Sequence, residues 1–481
     1  MKPINVFLFL LLVLLSLVGI SFLFPTSKIK ITSNLDLKYP SFKDVFTQKV
    51  VDTRTVEEIA LYRRDSIKSA LKRNKTLNLE DSLSIFESFD QNNEARLFYP
   101  NNDKSILFSF FRTMDSLRIK DTAAHILHYG DSQIEEDRIT GYLRERFQAL
   151  FGGKGVGLVS PRPLTTSVNM SHYFSSNWIR KVAFGPKETR ADHYRYGPMY
   201  CVCSFDSLLN AHVSLRARKK SNKSVKQFNR IKVFYNKNVT TIASGNLGKK
   251  TFSKKNLGGD VKLGTWSFDT FQRKGSFSFK GDSLSEVYAL SLESKMGVYV
   301  DNIAMRGASG LFFKRNNKSF LKQSLDELNT QMIILEFGGN VLPVIKSEKT
   351  AKWYGEAMKK QILYLKKQRP EATIFFIGPA DMLVSKDGKE MTHPYLEKVI
   401  IELKKNVLEA GGIYWDMYRA MGGQNSMLVW QKSTPKFGSS DGIHFTRRGA
   451  QEIARLLFET IENEYNIYNL KMRLEEIRNV E

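Results

Sequence analysis

The sequence has few cysteines and lacks internal repeats. Its 481 residues include only two cysteines, Cys201 and Cys203. Their alternate positions on a predicted strand point both thiols to one face and disfavour a disulfide between them. A disulfide framework and the paired spacing of zinc sites are therefore excluded. With 42% hydrophobic residues, the chain can bury a large core, and its length predicts two domains or more.

Acidic residues are scarce, and one long stretch has none. The chain has 73 Lys and Arg against 49 Asp and Glu, a net charge of +24. Such a charge favours anionic partners such as phospholipid headgroups, acidic glycans or nucleic acid. Residues 207–259 contain no acid and 13 cations. These cations are Arg216, Arg218, Lys219, Lys220, Lys223, Lys226, Arg230, Lys232, Lys237, Lys249, Lys250, Lys254 and Lys255. We interpret the stretch either as solvated hairpin loops or as a docking face for an anionic polymer or membrane.

An apolar run lies near the N-terminus. Residues 5–24 follow Lys2 and are apolar except for Asn5, Ser16 and Ser21. The run is long enough to cross a hydrocarbon core of ~30 Å as a helix. No Ala-x-Ala cleavage site follows, so we expect an uncleaved signal anchor rather than a cleaved signal peptide. Residues 25–102 are predicted to form a tether and membrane-proximal helices, with the bulk of the chain outside the cytoplasm.

Two stretches of alternating strand and helix patterns flank a β-rich stretch. Apolar runs at 123–129 and 332–337 alternate with helical patterns, which indicates a parallel sheet covered on both faces. Between 161 and 299, short β-prone runs are separated by turn residues, which is typical of an antiparallel sandwich. The sequence thus predicts an α/β domain made of residues 103–160 and 300–481, interrupted by an inserted β-sandwich at 161–299.

A candidate nucleophile, Ser132, follows the strand pattern in residues 126–133, Ile-Leu-His-Tyr-Gly-Asp-Ser-Gln. A serine at the C-terminal tip of a buried parallel strand faces the edge where open α/β folds bind ligands. A helix is predicted to follow at 135–151. The serine hydroxyl needs an adjacent base, and His444, with Asp441 three residues before it to orient the ring, is the candidate. The other six histidines are interpreted as structural: His125, His128, His172, His193, His212 and His393.

Four blocks in order resemble the Ser, Gly, Asn and His blocks of the SGNH, or GDSL-like, hydrolases. They are Gly-Asp-Ser (130–132), Arg-Gly-Ala-Ser-Gly (306–310), Glu-Phe-Gly-Gly-Asn (336–340) and Ser-Asp-Gly-Ile-His-Phe-Thr (440–446). The resemblance implies a three-layer α/β/α, flavodoxin-like domain that needs neither metal nor cofactor.

The same resemblance implies an oxyanion hole. Its donors would be the backbone N–H groups of Ser132 and Gly310 and the side-chain amide of Asn340, with Gly307 as a second alignment for the glycine. Each such donor is worth on the order of 3 kcal/mol in the transition state. The sequence departs from the family pattern at Val341, where an Asp is usual, and at Gln133, where a small residue is usual.

A narrower resemblance rests on Gly-Asp-Ser-Gln (130–133), Asp137-Arg138, the β insertion and the stretch 415–423. Together they are similar to bacterial envelope enzymes related to peptidoglycan O-acetylesterases, in which the inserted domain resembles a carbohydrate-binding module. Tyr173 and Trp430 are candidates to line a sugar site, with burial in the core as the alternative.

The resemblance implies a membrane-anchored serine esterase of the bacterial inner membrane, with its catalytic domain on the periplasmic side. It would remove O-acetyl groups from peptidoglycan or another envelope or extracellular polysaccharide through an acyl-enzyme on Ser132. Two alternatives stay open: a polysaccharide O-acetyltransferase that uses the same residues, and a non-catalytic glycan-binding subunit. Nucleic acid is not expected as a partner.

Overall fold

The structure is a computed structural model that describes residues 4–5, 29–32, 35–37, 78–120, 122–205, 209–245 and 249–479. The chain divides into two units, Met1–Arg63 and Arg64–Glu481. In the first, strands β1 (Ile29–Thr32) and β2 (Leu35–Leu37) form an antiparallel pair. The anchor predicted at 5–24 lies outside the described residues except for Asn5. Among the residues that are described, no helix is long and apolar enough to cross a membrane.

The second unit contains the remaining strands and the longer helices. Its strands are β3 (Leu97–Phe98), β4 (Ala123–Gly130), β5 (Gly157–Val159), β6 (Met170–Phe174), β7 (Trp178–Val182), β8 (Cys201–Phe205), β9 (Ala211–Ala217), β10 (Phe228–Asn236), β11 (Val239–Ser244), β12 (Lys250–Asn256), β13 (Val261–Gln272), β14 (Lys274–Gly281), β15 (Glu286–Glu293), β16 (Gly297–Ala304), β17 (Thr330–Glu336), β18 (Thr373–Ile377), β19 (Leu383–Lys386), β20 (Lys389–Thr392) and β21 (Ile413–Trp415). Its α-helices are α1 (Leu79–Asn92), α2 (Ser105–Lys120), α3 (Thr140–Phe151), α4 (Lys318–Glu327), α5 (Glu348–Gln368), α6 (Leu396–Glu409), α7 (Met417–Ala420), α8 (Ser426–Lys432) and α9 (Arg447–Arg478).

A six-stranded sheet positions the candidate site. Its strand order is β16-β4-β17-β18-β21-β3, and all neighbours are parallel except β21 and β3. Strand β4 is buried along its whole length, as the apolar run predicted. Gly130 at its end pairs with Ala304 of β16 and Glu336 of β17. The segments that follow these three strands therefore start from one edge of the sheet.

Two antiparallel sheets are built from residues that lie between β4 and β16 in the sequence. One has the order β12-β13-β10-β15-β8-β7, with β5 also paired to β15, and the other has the order β11-β14-β9-β6. The inward residues of both sheets share one apolar cluster that includes Trp178, Val213, Phe279 and Leu290. The prediction of a mixed α/β fold with a parallel sheet and additional antiparallel sheets is confirmed. Strand β16 begins before the predicted boundary at 299 and lies in the parallel sheet.

The two cysteines lie on β8, buried and free. The Sγ atoms of Cys201 and Cys203 are 3.6 and 3.5 Å from the Oγ of Ser160. Both thiols thus point to the same side of the strand, as their spacing predicted.

The helix predicted at 135–151 is interrupted near its start. Residues 132–137 form a short 3₁₀ segment in which Glu136 and Asp137 take positive φ angles of 63° and 67°. Helix α3 begins only at Thr140. Residues other than glycine rarely adopt this left-handed backbone conformation. The turn therefore depends on contacts made by its side chains.

Candidate active site

The structure brings Ser132, His444 and Asp441 together. The Oγ of Ser132 is 2.8 Å from Nε2 of His444, and Nδ1 of that ring is 2.7 Å from Oδ2 of Asp441. These residues line an open cavity of about 600 Å³. In this arrangement Nε2 can take the proton of the serine hydroxyl, while the carboxylate fixes the tautomer of the ring.

Asp441 is held in its ionised form by its own loop. Its Oδ1 accepts the backbone N–H groups of Ile443 and His444, each at 2.9 Å. Partial burial opposes ionisation, but these hydrogen bonds and the imidazole outweigh it and lower the pKa of Asp441 below its usual value. The side chains of His444 and Asp441 are 36% and 46% exposed, so water reaches the pair.

Two side chains near the serine hold the backbone on both sides of the histidine. Gln133 donates from Nε2 to the carbonyl oxygen of Ile443 at 2.8 Å and accepts the N–H of Phe445 at 3.3 Å. Arg138 donates to the carbonyl oxygens of Ser132 at 2.9 Å and Phe445 at 3.0 Å. In the sequence, Gln133 and Arg138 stand out only as parts of a family resemblance. Their contacts with Ile443 and Phe445 join positions about 310 residues apart, which no local pattern could reveal.

The two glycines of the second block lie in different surroundings. Gly310, predicted to be an oxyanion donor, is buried and does not line the cavity, whereas Gly307 is exposed and does. A Cβ on Gly310 would lie 2.7 Å from Met358 and 2.9 Å from Phe337, but a Cβ on Gly307 would meet no atom within 4 Å. Gly310 therefore serves close packing, and the alternative alignment, Gly307, provides the glycine at the cavity.

Asn340, predicted to be an oxyanion donor, lines the cavity, and its amide has partners there. Its Nδ2 donates to Oδ2 of Asp131 at 2.9 Å and to the carbonyl oxygen of Ala308 at 3.3 Å. Burial raises the pKa of Asp131 to about 7, against the opposing hydrogen bonds from Gln133 and Asn340 and with a further contribution from Glu336. The carbonyl oxygen of an acyl substrate would accept a hydrogen bond from this amide, either in place of one of these two acceptors or together with it.

An ion pair joins the second block to the turn after the serine. Arg306 donates from Nε and a terminal nitrogen to the two carboxylate oxygens of Glu135, at 2.9 and 2.7 Å. The Glu135 side chain is 8% exposed, while that of Arg306 is 58% exposed. Such a bidentate pair fixes geometry as well as charge, so it restrains the cavity wall next to Gly307.

The two histidines of β4 do not line the cavity. His125 contacts the carboxylates of Asp301 at 2.7 Å and Glu293 at 3.1 Å. Burial opposes protonation, but the two carboxylates outweigh it and raise the pKa of His125. His128 contacts Glu336 at 2.9 Å. These contacts agree with the structural role predicted for both residues.

Comparisons with known proteins identify the fold. No family model matches the sequence, and no curated protein matches it. A solved structure described as a peptidoglycan O-acetylesterase in action is 18% identical with a TM-score of 0.57, covering 74% of this chain and 95% of that chain. The chain therefore has an SGNH-hydrolase-like fold, which confirms the resemblance in the sequence at the level of fold.

Weaker likenesses come from other carbohydrate esterases. Est24, a carbohydrate acetylesterase from Sinorhizobium meliloti, is 10% identical with a TM-score of 0.25, covering 34% of this chain and 78% of that chain. A family two carbohydrate esterase from Cellvibrio japonicus is 9% identical with a TM-score of 0.23, covering 61% of this chain and 99% of that chain. Likeness at this level does not establish a shared fold.

Proposed function

We propose that this protein is a serine esterase that removes O-acetyl groups from peptidoglycan or another envelope or extracellular polysaccharide. The observation that carries the proposal is the chain of contacts from Ser132 Oγ to His444 Nε2, at 2.8 Å, and from Nδ1 to Asp441, at 2.7 Å, in an open cavity. The fold shared with a peptidoglycan O-acetylesterase supports the substrate class.

The first chemical step is acylation of Ser132. As Oγ attacks the acetyl carbonyl carbon, His444 takes the hydroxyl proton, and Asp441 stabilises the resulting imidazolium. The negative charge on the carbonyl oxygen is stabilised by the backbone N–H groups of Ser132 and Gly307 and by the Asn340 amide. The imidazolium then gives its proton to the sugar oxygen as the ester bond breaks.

The second step returns the free enzyme. Water gives a proton to His444 and attacks the acetyl-serine, and acetate leaves as Ser132 regains its proton. The partial exposure of His444 and Asp441, 36% and 46%, supports water as the acceptor. Transfer to a sugar hydroxyl would use the same acyl-enzyme but would benefit from the exclusion of water. Residues 5–24 belong to this proposal as a membrane anchor that presents the enzyme outside the cytoplasm.

The test is acetate release by the full chain from O-acetylated peptidoglycan and from acetylated exopolysaccharides. We expect Ser132→Ala to reduce release at least ~10³-fold, because the nucleophile is lost. Ser109→Ala, an exposed serine on α2 that does not line the cavity, is the matched control and should keep the wild-type rate. A sugar acceptor is included in parallel. Acetyl transfer to the sugar acceptor without free acetate would show that the protein is an acetyltransferase. Glycan binding with no turnover that depends on Ser132 would show that it is a glycan-binding subunit.

A further inference from the structure

A second cavity, of about 510 Å³, lies next to the catalytic one. We name it the basic groove for the five cations that line it: Arg216, Arg218, Lys219, Lys220 and Arg447. Glu136 is the single acidic residue among its lining residues, and the exposed ring of Tyr173 lies in its wall. The wall of the groove therefore carries five positive charges against one negative charge.

The cations of the groove differ from others of the same basic stretch. Arg230 and Lys232 pair with Glu293 at 2.9 and 3.4 Å, and Lys237 pairs with Asp260 at 2.9 Å. Within the described part of the chain, no ion pair is formed by any of the five cations of the groove. Charge concentrated in a concave site without internal partners raises the local concentration of anions.

An aromatic side chain stands beside the cations on one face of a sheet. Strand β6 is an edge strand that pairs with β9, and Ser171 lies opposite Arg216 while Tyr173 lies opposite Ser214. Because side chains alternate between faces, these four residues share the outer face. Tyr173 is 69% exposed. An exposed ring offers a flat apolar surface to a sugar, and a guanidinium binds carboxylate or phosphate through paired hydrogen bonds.

The groove adjoins both parts of the candidate active site. Glu136 lines the groove, and the preceding residue, Glu135, lines the catalytic cavity. Arg447 follows His444 by three residues and is the first residue of α9. The N-terminus of this 32-residue helix adds a favourable field for anions. The two cavities are thus lined by residues that lie close together along the chain at two places.

We propose that the basic groove binds the acidic groups of an anionic polysaccharide and positions its O-acetylated residues at Ser132. The proposal rests on the esterase function and narrows its substrate to glycans that carry carboxylate or phosphate groups. A concave groove suits an extended polymer, whereas a bilayer presents a flat surface. The charge and the exposed aromatic ring together fit a sugar chain.

The test compares two triple variants of the full chain. The groove variant is Arg216→Gln, Lys219→Gln, Lys220→Gln. The control variant, Lys249→Gln, Lys250→Gln, Lys254→Gln, removes the same charge from exposed residues on or beside β12, an edge strand of the other antiparallel sheet. Binding is measured by affinity electrophoresis with polygalacturonate, neutral xylan and phosphatidylglycerol vesicles. Each variant also carries Ser132→Ala, so that binding does not depend on turnover.

We expect the groove variant to bind polygalacturonate about tenfold more weakly, because three screened charge contacts are lost, and the control variant to bind as Ser132→Ala does. The wild-type affinity should fall as salt rises from about 0.05 to 0.5 M. With an intact Ser132, the ratio of acetate release from acetylated pectin to hydrolysis of 4-nitrophenyl acetate should fall to a similar extent in the groove variant alone.

Equal polygalacturonate binding by the two triple variants would overturn the proposal, as would a loss confined to vesicle binding. These outcomes are independent of the esterase assay. Normal acetate release from neutral acetylated polymers, with no effect of the groove variant on acidic ones, would reject the groove and keep the esterase. Polygalacturonate binding that depends on the groove, without acetate release by the wild type, would reject the esterase and keep the site.

Discussion

At the scale of single residues, Gly307 and Gly310 have different roles although they are three positions apart. Both take positive φ angles, 75° and 80°. Only Gly310 packs against Phe337 and Met358, and only Gly307 lines the cavity. The sequence block fits either glycine as the oxyanion donor, because so short a motif does not specify which backbone N–H faces a cavity.

The two glycines should respond differently to alanine. We expect Gly307→Ala to reduce the free energy of unfolding by about 1 kcal/mol, the cost of a left-handed backbone conformation. Gly310→Ala should reduce it by about 3 kcal/mol, since overpacking against Phe337 adds to that cost. Urea unfolding followed by circular dichroism measures both values. Equal losses in the two variants would contradict the packing role of Gly310.

At the scale of elements, the loop that carries His444 is held by two residues at opposite ends of the 3₁₀ segment that follows β4. Gln133 and Arg138 contact the backbone on both sides of the histidine at 2.8 to 3.3 Å. The distance from Ser132 Oγ to the ring therefore depends on contacts between segments that are remote in sequence. Gln133, a departure from the family pattern, acts here as a positioning residue.

Gln133→Ala tests this positioning. We expect kcat to fall about 10- to 100-fold with a small change in KM, because a displaced base affects the reacting geometry more than substrate binding. Gln148→Ala is the matched control. It removes a buried hydrogen bond to the Gly155 carbonyl oxygen, 3.1 Å long, and its side chain does not line the cavity. If the two variants lose the same activity, Gln133 has only a structural role. Steady-state kinetics on 4-nitrophenyl acetate separates these outcomes.

At the scale of the whole molecule, one buried ion pair connects the serine turn, helix α3 and the parallel sheet. Arg144, fully buried, donates to both carboxylate oxygens of Asp137 at 2.8 Å and to the Val300 carbonyl oxygen at 2.8 Å. Asn169 and Thr140 donate to the same carboxylate, each at 2.6 Å. This network supports the positive φ of Asp137 just beyond the serine.

Removal of the buried cation should make the protein less stable. We expect Arg144→Leu to reduce the free energy of unfolding by about 3 to 5 kcal/mol, because the Asp137 carboxylate stays buried without its partner. Arg146→Leu removes an exposed cation from the same helix, and its effect should stay below about 1 kcal/mol. Thermal and urea unfolding of both variants provide the comparison. A small effect of Arg144→Leu would show that the carboxylate finds other partners.

The basic stretch shows that the charge of a sequence does not identify the partner that it binds. Residues 207–259 contain 13 cations and no acid, and the sequence favoured no single partner for them. The fold supplies the acids from elsewhere in the chain: Glu293 lies beside Arg230 and Lys232, and Glu327 beside Lys255. The cations of the stretch that line the groove next to the catalytic cavity lie away from these acids and form no ion pair among the described residues.

The sequence by itself determined the elements whose signals are local. Strand β4 ends at Gly130, two residues before Ser132, and Asp441 precedes His444 by three residues, with its carboxylate 2.7 Å from the imidazole in the structure. Periodicity and short spacing describe such features because the interacting atoms are close along the chain. Tertiary structure alone decided that Gly307 lines the cavity, that Gln133 holds the His444 loop and which cations stay unpaired. Each of these depends on contacts between segments far apart in sequence, and no local pattern records those contacts.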